Sequence, residues 1–260
     1  MDTASPRSVP RLMDRLRSSS RPALIWYGGD GERVELSGRV LDNWAAKTAN
    51  LWVDELDLEA GDVVTLGDEV HWRSLAAALG TWTMGAAVRA VDPAEGAPGS
   101  GDRAVVGLVD TQGATPPLLD RVPPGARAVV LDRPALSLGY RGELPDGDAL
   151  DYCAEVRSHA DVYAGVEEPS PEGDALQAAD TDGFLTHDEL LPEGVASGRE
   201  QAWGTADAVH VPGLRMDAGF LRRVLAVLAG GRAVVVTDRA ADAADPSWRS
   251  VLAAENAVGF

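Results

Sequence analysis

Between Asp174 and Leu191 the chain reads Asp-Ala-Leu-Gln-Ala-Ala-Asp-Thr-Asp-Gly-Phe-Leu-Thr-His-Asp-Glu-Leu-Leu, its densest group of side chains able to meet a phosphate or a metal. The apolar run Ala175 to Ala178 predicts a strand. Asp180, Asp182 and Gly183 predict a turn. Thr186 is placed to cap a helix that begins at His187. A strand, a turn and a helix is the layout of a phosphate-binding loop, because helix N-terminal amides point at an anion. Thr181, Asp182, Gly183, Thr186 and His187 are therefore the candidate nucleotide-binding residues. The turn holds two carboxylates, one glycine and no lysine, so it repels a phosphate unless a metal intervenes. These residues leave the cofactor unknown, with ATP or AMP and magnesium one expectation.

The same residues can be laid on the calcium loop Asp-x-Asp-x-Asp-Gly-x5-Glu. Asp180, Asp182, Gly183 and Glu189 match, while Ala178 stands where the first ligand belongs. Pro169 and Pro171 interrupt the entering helix, and no second loop of this kind follows. An acidic loop with a helix cap explains the stretch without a metal.

Other chemistries find less. His71, His159, His187 and His210 are scattered, and His210 lies in an apolar strand, as a core histidine does. Gly-x-Ser-x-Gly is absent, so no nucleophile elbow is indicated. Gly28 to Gly31 lacks a following helix, which makes it a hairpin turn rather than a dinucleotide fingerprint. Cys153 is the only cysteine; it excludes an internal disulfide and reads as a small core residue. Lys47 is the only lysine, and it lies off the apolar stripe of its helix, facing water. No residue is assigned a catalytic or metal-binding role.

The elements that must position these residues follow from the patterning. The chain has 260 residues, 45% of them hydrophobic, and a net charge of -18. Such a field disfavours nucleic acid and anionic membranes. No apolar run reaches membrane-spanning length, and arginines punctuate the N-terminus in place of a signal-peptide core, so a cytoplasmic protein is expected. Residues 1–22 form an N-terminal helical and loop segment, with a helix over Met13 to Arg17. Residues 23–260 form one α/β domain. Ala23 to Tyr27 and Arg33 to Leu36 make a hairpin. Ser37 caps a helix with Val40, Leu41, Trp44, Thr48, Leu51 and Trp52 on one stripe. Strands follow at Val63 to Leu66, Ala86 to Val91, Ala104 to Val109, Ala128 to Leu131, Ala208 to Val211 and Ala233 to Thr237. Helices are expected at His71 to Leu79, Leu150 to Arg157, His187 to about Gln201, Phe220 to Ala229 and Trp248 to Glu255. This alternation predicts an α/β fold with a mixed or mostly parallel sheet and helices on both faces. Trp44, Trp52, Trp72 and Trp82 pack the helical layer.

From Ala23 to Pro93 the chain resembles the opening of the adenylate-forming superfamily, which includes acyl-CoA synthetases and peptide-synthetase adenylation domains. Hairpin and helix are followed by Leu58-Glu59-Ala60-Gly61-Asp62-Val63-Val64, a short helix, and Gly85 to Pro93 ending in Val-Asp-Pro. Leu185-Thr186-His187-Asp188-Glu189-Leu190 resembles the Leu-Thr-His-x-Asn-Leu after the family's phosphate loop. Pro212, Gly219 and Leu225 to Val236 resemble the segment beyond it. The order covers most of the chain.

The departures bear on activity. The family's loop is Ser/Thr-Gly-Thr-Thr-Gly-x-Pro-Lys-Gly; here Gln177 to Leu185 takes its place, shorter and without Gly-x-Pro-Lys. The family's Pro-Leu-Phe-His becomes Pro212-Gly213-Leu214-Arg215. The adenine-reading motif, the ribose-binding aspartate and the domain with the catalytic lysine have no counterpart before Phe260. The resemblance thus implies a truncated, non-catalytic relative, a remnant nucleotide or acyl-ligand binder or a partner subunit. Two alternatives stand beside it: half of a split ligase, forming acyl-adenylates with another chain in acid–thiol or acid–amine ligation, or a calcium-binding loop protein. A protein partner or homo-oligomer is expected; nucleic acid and membrane are not.

Overall fold

The computed structural model describes residues 6–145, 147–165, 168–191, 200–241 and 245–260. The first helix, α1 (Val9–Arg17), starts where the Ser8 hydroxyl accepts from the Arg11 N–H, and it buries Val9, Leu12, Met13 and Leu16. The hairpin is present: β1 (Pro22–Tyr27) and β2 (Arg33–Ser37) pair antiparallel. Ser37 caps α2 (Gly38–Leu56) through the Val40 N–H. The buried stripe of α2 is Leu41, Ala45, Thr48, Leu51 and Trp52, whereas Val40 is exposed. Lys47 does not face water. Its ammonium donates to the carbonyls of Arg157 and His159 and pairs with Asp161 at 2.7 Å, because the 157–161 segment folds back over α2.

A run of parallel strands follows: β3 (Val63–Gly67), α3 (Trp72–Thr83), β4 (Ala87–Val91), β5 (Ala104–Leu108) and β6 (Arg127–Leu131). The segment expected as a helix from Leu150 divides instead. Leu150 pairs with β6 as β7 (Leu150–Asp151), and the Asp151 carboxylate then takes the Cys153 and Ala154 N–H groups to begin α4 (Tyr152–Glu155). Next come β8 (Asp174–Gln177), β9 (Leu185–Thr186) and α5 (His187–Leu190), then α6 (Glu200–Trp203). Residues 192–199, most of the helix expected up to Gln201, lie outside the described residues. The chain continues through β10 (Ala208–His210), α7 (Ala218–Ala229), β11 (Ala233–Thr237), α8 (Pro246–Ala254) and β12 (Ala257–Gly259), a short strand the sequence pattern did not reveal.

Among the described residues the strands form two sheets. One runs β12-β10-β11-β1-β2 and the other β7-β6-β5-β3-β4-β8-β9, with antiparallel pairing only at β1–β2 and β8–β9. Alternate residues of each strand face opposite layers. Leu24, Trp26, Val234 and Val236 from one sheet join Val64, Leu66, Val106 and Val129 from the other in a single core with α1, α2, α3 and α7. Ile25, Val235 and Ala233 face outward under Trp248 of α8, while Val105 and Val130 face Leu118 and Leu119 on the far side. Helices therefore lie between the sheets and outside them, which is why β5 and β11 are apolar along their whole length.

The tryptophans hold the middle layer. Trp44 meets Trp72 edge-on at 5.0 Å, Trp52 donates its indole N–H to Thr81, and Trp82 donates to the Ala175 carbonyl. Gly80 lets α3 approach α2: a Cβ there would lie 2.8 Å from the Ala45 carbonyl oxygen and 2.6 Å from the Thr48 Cβ. No helix among the described residues is long and apolar enough to cross a membrane.

Candidate functional site

Both sheets turn the carboxyl ends of their parallel strands to a common seam, the place where open α/β sheets present ligands. From the first sheet come the 28–32 turn, Asp238 after β11, and the segment Val211 to Asp217 that leads into α7. From the second come Asp68 and Glu69 after β3, Arg133 after β6, and the 178–184 turn after β8. Arg133 pairs with Asp238 at 3.0 Å, and Asp238 also accepts from the Gly29 N–H. The Glu32 carboxylate accepts from the Ala135 N–H. Arg215 reaches Asp68 at 2.7 Å and Asp92 at 2.6 Å. Ion pairs thus stitch one sheet to the other along the seam.

The seam also holds strained protonation states. Burial pushes the Glu69 carboxyl up to about 7, and its Oε2 has no hydrogen-bond partner. His71, fully buried at the start of α3, accepts from the Arg73 N–H through Nδ1, so its neutral ring carries the proton on Nε2. Burial and the Arg73 and Arg133 charges hold that imidazole well below its ordinary range. Burial likewise pushes His210 and His187 down. Burial therefore favours the neutral imidazole at His71, His187 and His210, and His210 is buried as expected.

The turn singled out in the sequence departs from a phosphate cradle in its details. It joins two strands, β8 and β9, in an antiparallel hairpin, and only one helical turn follows. Thr181 gathers the turn inward: its hydroxyl accepts from the Ala178 N–H at 3.0 Å and lies 2.8 Å from the Gly183 carbonyl. Gly183 has φ +91°, a left-handed geometry that favours glycine. Asp182 and Gly183 are exposed, and His187 is buried. The five predicted residues are thus close in the chain, but their side chains do not converge on one point.

The amides that would meet an anion are already engaged. Thr186 and Glu189 form a reciprocal capping box, with the Thr186 N–H on Glu189 Oε2 at 2.8 Å and the Glu189 N–H on Thr186 Oγ1 at 3.2 Å. The Thr186 N–H holds the Glu189 carboxyl below its usual range. The His187 and Asp188 N–H groups go to the carbonyls of Gly173 and Pro171, both at 3.0 Å. At the start of α7, the Asp180 carboxylate takes the Ala218 and Gly219 N–H groups at 2.8 and 3.0 Å, and Asp217 takes that of Phe220 at 2.6 Å. These commitments also leave the calcium ligand set unassembled. Glu189 folds back on Thr186 and Asp180 points at α7. Among the described residues no group of three or more His, Cys, Asp or Glu is placed to hold a metal ion.

Sequence reasoning missed Asp217, Arg215 and Asp68. Asp217 stands three residues before Phe220 at the head of an apolar helix, a capping signal that was there to read. Arg215 and Asp68 come from distant parts of the chain, and no local pattern pairs them. Beneath the turn, Asp68, Ala90, Ala178, Asp180, Arg215 and Met216 line a cleft of about 230 Å³.

No family model matches the chain. A TIGR03089 family protein of Mycobacterium tuberculosis is 35% identical over 178 residues, covering 66% of this chain and 68% of that protein. Among solved structures, an acyl-CoA synthetase from Brucella canis superposes with a TM-score of 0.72 at 18% identity, over 97% of this chain and 47% of that one. A fatty acyl-adenylate ligase from the E. coli and L. pneumophila pair gives 0.68 at 16% identity, over 100% and 46%. MatB from Rhodopseudomonas palustris gives 0.66 at 16%, over 98% and 48%. At these identities the likeness shows the fold, that of the N-terminal part of adenylate-forming enzymes. The chain spans about half the length of these structures.

Proposed function

The chain belongs to the TIGR03089 family, and from that premise we propose that it is a non-catalytic binding subunit built on the adenylate-forming fold. One observation carries this reading: at the phosphate-loop position the helix-start amides already have protein acceptors, three of them the carboxylates of Glu189, Asp180 and Asp217. A nucleotide phosphate would have to displace these carboxylates and approach Asp68, Asp180 and Asp217 at once. The nearest cation lining the cleft, Arg215, is held between two aspartates. The overall charge of -18 adds to the repulsion. The retained fold then serves to present a surface or a cleft to a protein or an acyl ligand.

ATP–pyrophosphate exchange tests this with the pure chain, magnesium and a panel of carboxylic acids. The expected result is no exchange above the protein-free control. Exchange dependent on any one acid overturns the reading. A ligase acting with a second polypeptide is the other reading, supported by the retained fold of the N-terminal part of adenylate-forming enzymes. It requires exchange to appear when that polypeptide is supplied.

A further inference from the structure

We propose that the 178–184 turn is a latch, held shut across the seam by Asp180, that opens as one unit while both sheets stay folded. This deepens the reading above and rests on it: the segment standing where a phosphate loop would be becomes the movable wall of the cleft. Three observations support it. The turn is internally bonded, with the Thr181 hydroxyl tied to Ala178 and Gly183 and the Thr181 N–H on the Ala178 carbonyl, so it keeps its shape when it moves. Its root is fixed. Gln177, at the end of β8, accepts from Arg89 on the neighbouring strand. Its far side, in contrast, is tied to α7 by two hydrogen bonds that both end on one exposed carboxylate, that of Asp180.

The cleft of about 230 Å³ lies between these two attachments. Ala178 and Asp180 line it from the turn, and Arg215, Met216 and Asp217 from the segment entering α7. Releasing one side chain therefore parts the two walls. The Arg89–Asp102 pair is not disturbed, because it lies within the second sheet.

Amide hydrogen exchange on the full chain tests the latch, comparing wild type with Asp180→Ala and Asp182→Ala. Asp182 is the control, an exposed acid of the same turn. In Asp180→Ala the Ala218 and Gly219 amides should exchange about tenfold faster or more, the Thr181 amide, bonded within the turn, should keep its rate, and a Met216→Cys side chain in the cleft wall should be alkylated about tenfold faster than in the Met216→Cys single variant. Amides of β3, β4 and β5 should keep their protection, and Asp182→Ala should leave every one of these rates unchanged. Asp180→Asn keeps one acceptor oxygen and should fall between; it also serves if the alanine variant folds poorly. Faster exchange at α7 without faster alkylation at position 216 means no unit opens, faster Thr181 exchange means the turn unravels, and acceleration throughout the sheets means Asp180 is a structural tie; any of these overturns the latch. No nucleotide enters this measurement, so its outcome is separate from that of the exchange assay above.

Discussion

Asp102 and Asp180 are two aspartates that each hold donors from other elements, and they differ in burial. Asp102 is 2% exposed and accepts from Thr65 on β3, Arg89 on β4 and the Gly99 N–H. Asp180 sits in an exposed turn and accepts from two amides of one helix. The first is a tie the parallel sheet depends on, because the buried carboxylate of Asp102 holds β3, β4 and the Gly99 turn together. The second is closed in the static structure, yet water can replace it at little cost. Arg89 connects the two, reaching Asp102 on one side and Gln177 and Phe184 on the other. Along this line the polar contacts are graded, buried at Asp102 and exposed at Asp180.

That grading can be broken by substitution. Asp102→Ala should destabilise the fold most, by about 3–5 kcal/mol, as expected when a buried ion pair loses one partner. Thermal or urea melting reads this directly, and a loss below about 1 kcal/mol would erase the distinction from surface pairs. Glu69→Gln comes next and depends on pH. The folded carboxyl has its pKa raised by burial from its ordinary 4.5 to about 7, so its contribution is fully present below the unfolded value and lost as pH rises through about 7. At pH 8 the glutamine variant should therefore be more stable than wild type, by at most about 3 kcal/mol at 1.36 kcal/mol per pKa unit. Near pH 4 the two should be much closer. Paired melts at the two pH values decide it, and an equal difference at both would mean Glu69 is not buried uncharged. Asp180→Ala should cost about 1 kcal/mol, the scale of a lost helix-capping contact. Asp182→Ala should leave the melting temperature unchanged, and a shift matching that of Asp180→Ala would place the turn's anchor elsewhere.

The same grading explains what could be read from the sequence. Apolar strands such as Ala104 to Leu108 and Ala233 to Thr237, with capping residues such as Ser37 and Thr186, signal their structure locally, so most elements lie where the patterning put them. Leu150 was different: its strand pairing with β6 is a tertiary preference that a helical pattern does not reveal. β12 is three residues long and gains its pairing from β10, some fifty positions earlier, so it too left no periodic trace. Lys47 was misplaced because its acceptors, the carbonyls of Arg157 and His159, belong to a loop more than a hundred residues away. At the seam the acidic character of the turn was legible, and so was its capping threonine. The grip of Asp180 on α7 was not, since both amides belong to a helix 38 and 39 residues further on. Composition and spacing report charge and periodicity; they do not report which distant amide a carboxylate will find.

The central claim is that the phosphate-loop position is closed by the protein's own carboxylates. Calorimetric titration of the chain with ATP and with AMP, in magnesium, tests it most directly. The account predicts no binding heat for either nucleotide beyond dilution. Saturable binding in the micromolar range would contradict it, because the turn would then have to exchange Asp180 and Glu189 for a phosphate.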